Sequence, residues 1–350
     1  MLLCNITSEM KLDLFWWIEN MYAQFRIIAR GNPDITMQTD ASVIGWGAVL
    51  ESKETRGRWS ITEAKKHINY LEMLSVYFAL KSFKDKIKGK HVTVLCDNSS
   101  AVAYINNMGG CKSADCNEIA KSIWAWCIDN DVWISCTHLT GKSYVEADCL
   151  SRSFNDQLEW QLNEVVFESI VKVWGKPDIY LYASRLNNQV ECYCAFKPDP
   201  YAKQSNAFLV DWGKFNCVYL FPPFSLLGSY THKLIMDKPQ AIIIIPLWPT
   251  QPWFSQIMQL LIDKPCILKR RETLLYLHHN KQHQHPLKDS LVLVASFVSG
   301  NISKNKVFLK GQPKYLCLPG KQELKNNTHR ALKDGFDIVV KEKLINFNLI

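Results

Sequence analysis

With 350 residues, 47% of them hydrophobic and 21% charged, the chain has enough apolar material for two ordinary domains with separate cores, which excludes a disordered or fibrous polymer. Its net charge of +8 is uneven: residues 1–157 sum to −1 and residues 158–350 to +9, so the second half is the part that favours a polyanionic partner. Twelve cysteines without a CxxC pair read as reduced core thiols in an intracellular protein, and no apolar run is long enough to cross a bilayer.

In chain order, Asp34 to Ser52 is extended, and "GRWS" at 57–60 predicts a further short strand after a turn. From Ile61 to Ile87 the period becomes helical, with Ile68, Leu71, Ser75, Val76, Ala79, Leu80 and Phe83 on one stripe. "HVTVLCDNSS" at 91–100 predicts a strand ending in capping residues, and "SAVAYINNM" opens a helix. A helix around "NEIAKSIWAWCID", a strand over "VWISCTHL" at 132–139 and a short helix at "EADCLSRS" complete an α/β layout, a mixed sheet covered by helices. The second half again predicts α/β, with a strand-like "KPDIYLYASRLNN", a buried strand in "AIIIIPLWPTQPWF" and an apolar segment "FDIVVKEKLINF" inside a Lys/Asn-rich, partly ordered tail. "HHNKQHQH", with His278, His279, His283 and His285, reads as a surface loop rather than a zinc site, because no Cys or acid stands at ligand spacing.

Carboxylates recur where they are costly. Asp40 lies inside the first strand, Glu72 on the apolar stripe of the long helix, Asp97 at the carboxyl end of a strand and Asp148 at the start of the last short helix. Each has a plain alternative: Asp97, with Asn98 and Ser99, can cap a helix, Asp148 can be a first-turn acid, Glu72 can sit on the helix shoulder and Asp40 can begin a turn. Together, four acids aimed at one region repel unless divalent cations neutralise them, which points to two Mg²⁺ (or Mn²⁺) ions and phosphodiester cleavage.

"TDAS" with "GWGA", "HINYLEMLSVYFAL", "DNSSAVAYINNMGG", the His of "THLTG" and "EADCLSRS" resemble, over roughly residues 30–155, the ribonuclease H domain of DIRS-type retrotransposon polyproteins. The resemblance implies a ribonuclease H fold, cleavage of the RNA strand of an RNA/DNA hybrid, Asp40, Glu72, Asp97 and Asp148 as metal ligands and catalytic acids, and His138 as the family's mobile histidine, its alternative being a solvent-facing strand end. Thr140 and Tyr144 depart from the Pro and Asn that similar elements carry. Asn98, Ser99, Asn106 and Asn107 are candidates for sugar and phosphate contacts, whereas the five lysines of "KSFKDKIKGKH" read first as a solvated helix end opposite the catalytic edge, with further phosphate contacts as the alternative.

The second half resembles the region downstream of ribonuclease H in the same elements, which is similar to phage-type adenine-N6 DNA methyltransferases. That family uses a D/N-P-P-Y/F loop on a flipped base. Here the loop is "FPPF" at 221–224: Phe221 cannot accept a hydrogen bond from an adenine amine, and Tyr180 stands where related segments carry an acid. These departures argue against S-adenosylmethionine as a cofactor and against methyl transfer, with Phe224 left as a base-stacking candidate and a rigid Pro-Pro turn as the plain alternative. The expected organisation is a helical connection over 1–31, similar to the segment that follows reverse transcriptase in such polyproteins, a ribonuclease H-like domain over 32–156, a degenerate methyltransferase-like domain over 157–299 and a tail over 300–350. The expected partners are an RNA/DNA hybrid and a separate reverse transcriptase, with no membrane; the alternative is a domesticated nucleic-acid-binding protein with both sites inactive.

Overall fold

Alternating β-formers from 35 onward fold as an antiparallel meander in the computed structural model, which describes residues 5–22, 31–110, 112–139, 145–155, 159–314 and 336–350. Strands β1 (Ile35–Ala41), β2 (Gly45–Leu50) and β3 (Lys53–Arg58) are joined by tight turns, the second with Glu51 in the left-handed region at φ 55°. The third strand thus begins at Lys53, ahead of the "GRWS" expected from the sequence. Helix α1 (Ser8–Asn20) precedes the meander. Helix α2 (Ile68–Ser82) and the short α3 (Lys84–Ile87) lead into β4 (His91–Cys96), followed by α4 (Ser99–Asn106), α5 (Ala114–Asp129), β5 (Trp133–His138) and α6 (Val145–Arg152). The sheet order is β3-β2-β1-β4-β5, with β1, β4 and β5 parallel, so the carboxyl ends of these three strands share one edge. Leu71, Leu74, Phe78 and Ala79 of α2 pack with Met37, Trp46, Val92 and Ile123 in one apolar core. No described helix is long and apolar enough to cross a membrane.

A second core is built on a six-stranded sheet. Strand β6 (Trp160–Leu162) and α7 (Glu164–Trp174) precede β7 (Ile179–Tyr180), the small pair β8 (Cys194–Ala195) and β9 (Gln204–Ser205), and β10 (Val218–Leu220). Then come α8 (Leu227–Asp237), β11 (Gln240–Pro246), α9 (Pro252–Gln259), β12 (Cys266–Ile267), β13 (Leu275–Leu277), β14 (Leu293–Ser299) and α10 (Ile302–Lys310). The hairpin β15 (Asp337–Val340)–β16 (Lys343–Asn346) and β17 (Asn348–Leu349) end the chain. The order β17-β12-β14-β11-β10-β7 keeps β7, β10 and β11 parallel and sets β14 against them. The run "AIIIIP" is wholly buried as the central β11, as its continuous apolar pattern requires. The stretch after residue 300 supplies α10 and the edge strand β17, and Ile345 of β16 is fully buried, so these described residues belong to the second unit rather than to a separate tail.

The two units are joined by a specific contact. Arg185 forks onto Glu63, Nη1 to Oε1 at 2.8 Å and Nη2 to Oε2 at 2.9 Å, and Nη2 also donates to the Arg58 carbonyl at 2.9 Å. Its guanidinium lies 4.5 Å over the Phe78 ring, Tyr201 meets the same ring edge-on, and the Thr55 hydroxyl donates to the Pro198 carbonyl. The Arg185 and Glu63 side chains are only 12% and 20% exposed, so removing one leaves the other poorly solvated. Arg185→Ala is expected to lower unfolding stability by about 2–3 kcal/mol, below the ~3–5 of a fully buried pair. Urea denaturation measures it, and a loss under about 0.5 kcal/mol would show that the fork contributes little.

Candidate active site

Two acids meet by strand register. Gln38 of β1 pairs with Leu95 of β4, and the same parallel register continued by two residues brings Asp40 level with Asp97. Asp40 is held inside β1, 2% exposed and opposite Gly47 of β2, while Asp97 stands exposed just beyond the end of β4. Asp97 is not consumed as a helix cap, because the Asn98 side-chain Oδ1 accepts from Ala101 N at 2.9 Å and caps α4 in its place. Glu72 enters from the buried face of α2, 3% exposed. Asp148 comes from α6, half-exposed and bridged to Arg152 at 2.7 Å on the same helix. Like-charge repulsion couples Asp40 to Asp97 and Asp148, and Glu72 to Asp40 and Asp97, so the four acids expected from the sequence face one region.

The electrostatics follow from that crowding. Burial pushes the Glu72 carboxyl up to about 9, and the charges of Asp40 and Asp97 add to it, against weaker opposing hydrogen bonds from Cys96 and the Ala41 backbone. Asp40 is raised by burial and then by Asp97 and Asp148, partly offset by a hydrogen bond from Ser151. One Asp40 oxygen, Oδ2, is buried with no hydrogen-bond partner among the described residues, a costly arrangement for a carboxylate. Glu72, Cys96 and Asp97 bring one ligand atom each within 4.8 Å of one another. Cys96 was not anticipated as part of this cluster; its signal is its place immediately before Asp97. Its thiol, raised far above the ordinary range by burial, stays protonated and donates to Glu72 Oε2 at 3.8 Å. Repelling carboxylates, one of them with an oxygen unpartnered among the described residues, and a neutral thiol beside them fit a hard divalent cation, which Asp40, Glu72, Asp97 and Asp148 would hold. Bound there, such ions would supply charge neutralisation and Lewis acidity toward a phosphodiester.

Helix α6 reaches the site because β2 lets it. A Cβ on Gly47 would lie 2.5 Å from Leu150 Cβ and 2.8 Å from both the Ala147 oxygen and the Ser151 nitrogen, backbone that cannot swing away. The Ser42 hydroxyl, donating to the Ser151 carbonyl at 2.7 Å, fastens the same helix to the end of β1. Gly47→Val is therefore expected to push α6 outward and carry Asp148 from the other acids. Overpacking of this kind destabilises by about 1–3 kcal/mol, readable in thermal unfolding, and Mg²⁺ affinity by calorimetry should fall with it; unchanged affinity would remove Gly47 from any positioning role.

The remaining sequence candidates separate by their contacts. His138 is exposed at the same edge, with Nε2 2.9 Å from the Asp97 carbonyl oxygen. A carbonyl only accepts, so Nε2 carries the proton of this bond. Asn98 also donates to Asn69 Oδ1 at 2.9 Å, and Ser99 and Asn107 are exposed. The Asn106 amide is used on β5, donating to the Cys136 carbonyl at 2.7 Å and accepting from Cys136 N at 2.8 Å, a structural tie that limits its reach toward a ligand. The lysines from Lys84 to Lys90 precede β4, at the opposite end from Asp97, as expected. Thr140 and Tyr144 lie outside the described residues. Phe224 follows the Pro-Pro turn beyond β10 and packs edge-on against Trp248 at 5.3 Å. Phe221 is buried and offers its carbonyl to the Tyr180 hydroxyl at 3.3 Å, while His283 and His285 pack on Trp160.

Residues 32–121 match the family model of the RNase H-like domain found in reverse transcriptase. Solved structures similar to this chain include RNase H1 from the halophilic archaeon Halobacterium salinarum, at 17% identity over 33% of this chain and 92% of that one, with a TM-score of 0.29. An N-terminal RNase H domain from Mycobacterium tuberculosis, solved as a fusion with maltose binding protein, is 16% identical over 34% of this chain and 91% of that one, TM-score 0.29. LC11-RNase H1, solved in complex with an RNA/DNA hybrid, is 18% identical over 33% and 93%, TM-score 0.29. Residues 32–121 of the first unit are thus similar to the RNase H-like domain found in reverse transcriptase.

Proposed function

We propose that the RNase H-like unit hydrolyses the RNA strand of RNA/DNA hybrids with divalent cations held by Asp40, Glu72, Asp97 and Asp148. The observation that carries this reading is the convergence of four acids from β1, α2, the end of β4 and α6, with Asp40 Oδ2 buried and without a partner among the described residues. Asp40 and Asp97, level at the sheet edge, are placed to share an ion. Glu72 from α2 and Asp148 from α6 close the site from the two faces of the sheet. His138, at the exposed rim, would take or return a proton as product leaves. Ser99, in the first turn of α4, and Asn107, just past its end, are the remaining candidates for sugar and phosphate contacts, and Asn98 contributes chiefly by setting the start of α4. The test is cleavage of an end-labelled hybrid by the purified chain with Mg²⁺ or Mn²⁺, against single-stranded RNA and duplex DNA; no cleavage with either ion would sink the reading and leave a nucleic-acid-binding protein with an inactive site.

We read the second unit as methyltransferase-like in ancestry and without methyl transfer. Its "FPPF" turn lies beyond the carboxyl end of the parallel strand β10, where open α/β sheets place ligands, yet Phe221 points into the core and offers no side-chain acceptor. Titration with S-adenosylmethionine in a calorimeter is expected to give no heat, and measurable binding would revive the transferase. In this reading the chain derives from a DIRS-type retroelement, with the nuclease unit over 32–156, the second unit from 157 onward, and a separate reverse transcriptase supplying the hybrid.

A further inference from the structure

A cleft at the junction of the two units belongs to neither site above. One wall is β3, with Arg56 and Arg58, and Phe154 just past α6; the other is the second unit, with Tyr182, Phe196 and Lys197. The acids in its lining are turned into the framework. Asp199 accepts from the Tyr193 hydroxyl at 2.6 Å, from Tyr201 N at 3.0 Å and from Arg185 N at 2.8 Å, and Glu159 accepts from the Ser184 hydroxyl. The cations are less committed. Arg56 has no ion pair among the described residues, and Lys197 has only a solvent-exposed one, 3.4 Å from Glu54. Rings alternate with these charges: Phe196 is 53% exposed, Tyr182 stands 6.1 Å from it, and Arg58 lies 4.7 Å over Phe154.

We infer that this cleft binds single-stranded nucleic acid, with Arg56 and Lys197 on phosphates and a base stacked on Phe196. Interleaved cations and open aromatic faces suit unpaired bases, whereas a duplex hides the faces of its bases from a ring in a concave wall. The cleft begins two residues beyond α6, the helix that carries Asp148, so a strand lying in it runs alongside the nuclease unit as an unpaired flank of its substrate. The binding itself stands on charge and shape and does not depend on the nuclease reading.

The experiment is fluorescence anisotropy of the full chain with fluorescein-labelled ten-nucleotide oligothymidylate and oligouridylate, in EDTA so that nothing is cleaved. Arg56→Ala and Phe196→Ala should each raise Kd about 5- to 30-fold, the range of a lost phosphate contact or base stack, and Arg56→Ala should also flatten the salt dependence. Lys84→Ala, in α3 at the end of the strands away from Asp97, should stay within about twofold, and thermal unfolding should confirm that all three variants remain folded. Values for Arg56→Ala and Phe196→Ala within twofold of wild type would overturn the proposal, as would a blunt hybrid binding with equal sensitivity to both substitutions, which would make the cleft a duplex site. Cleavage of a blunt hybrid by the same variants reports separately on the nuclease, since neither residue belongs to the acid cluster.

Discussion

Asp97→Asn should abolish metal-dependent hybrid cleavage, with a loss of at least about 10²–10³ in rate, the scale of removing one group that stabilises transition-state charge. The substitution keeps the shape of the side chain and removes only its charge. Because Asp97 is exposed beyond the end of β4 and takes no part in capping α4, the fold should be indifferent, with unfolding shifted by no more than about 0.5 kcal/mol. Any shift should be stabilising, since the Asp97 charge is one of the two that raise Glu72. Activity and stability therefore move independently, which separates a catalytic ligand from a structural acid. Single-turnover cleavage at saturating Mg²⁺, beside a melting curve, makes the comparison. A variant that cleaves within tenfold of wild type would show that Asp97 is not a ligand, and the remaining three acids would have to account for the chemistry alone.

The parts of the fold that were legible in the sequence are those whose signal is local. The stripe from Ile68 to Phe83 and the run "AIIIIP" carry their periods in adjacent residues, and both elements form as that pattern requires. The four acids were legible for a related reason: a carboxylate in an apolar pattern is conspicuous wherever it stands. What escaped is long-range. The exposed edge strand β3, "KETRGR", has no apolar alternation, so only its end was visible. Strand β17 is two residues that matter through their pairing with β12, some eighty positions earlier in the chain, and nothing in the Lys/Asn-rich composition around it marks that partner. The fork of Arg185 on Glu63 is likewise invisible locally, since either residue alone reads as an ordinary surface charge. Gly47 reads as a small residue in a strand, and only the approach of α6 shows why it has no side chain.

Glu72→Gln should make the metal-free protein more stable at neutral and alkaline pH while it weakens Mg²⁺ binding. The Glu72 carboxyl, ordinarily near 4.5, is pushed up to about 9 in the folded chain. Below 4.5 both states are protonated and the group costs the fold nothing. Between 4.5 and 9 the unfolded chain ionises while the folded one must keep its proton, so stability falls as pH rises through that window, and above 9 it levels off. Asp40, raised by the same burial, adds a slope of the same sign. Glutamine has no proton to lose, so the variant should lack the Glu72 part of the slope and gain about 1–3 kcal/mol over wild type near pH 8, the scale of an unsatisfied buried polar group. Divalent cations invert the logic: they favour the ionised carboxylate, so Mg²⁺ binding should release protons, strengthen with pH and restore wild-type stability in the window where it is lost. Urea midpoints at pH 5, 7 and 9, with EDTA and with Mg²⁺, test each step. If the variant and wild type keep the same pH slope in EDTA, Glu72 is not the group that holds the site in readiness for a cation. If the Glu72 part of the slope disappears in Glu72→Gln and also in wild type with Mg²⁺, the strain of the buried acid and the binding of the ion share one origin in the burial of that carboxyl.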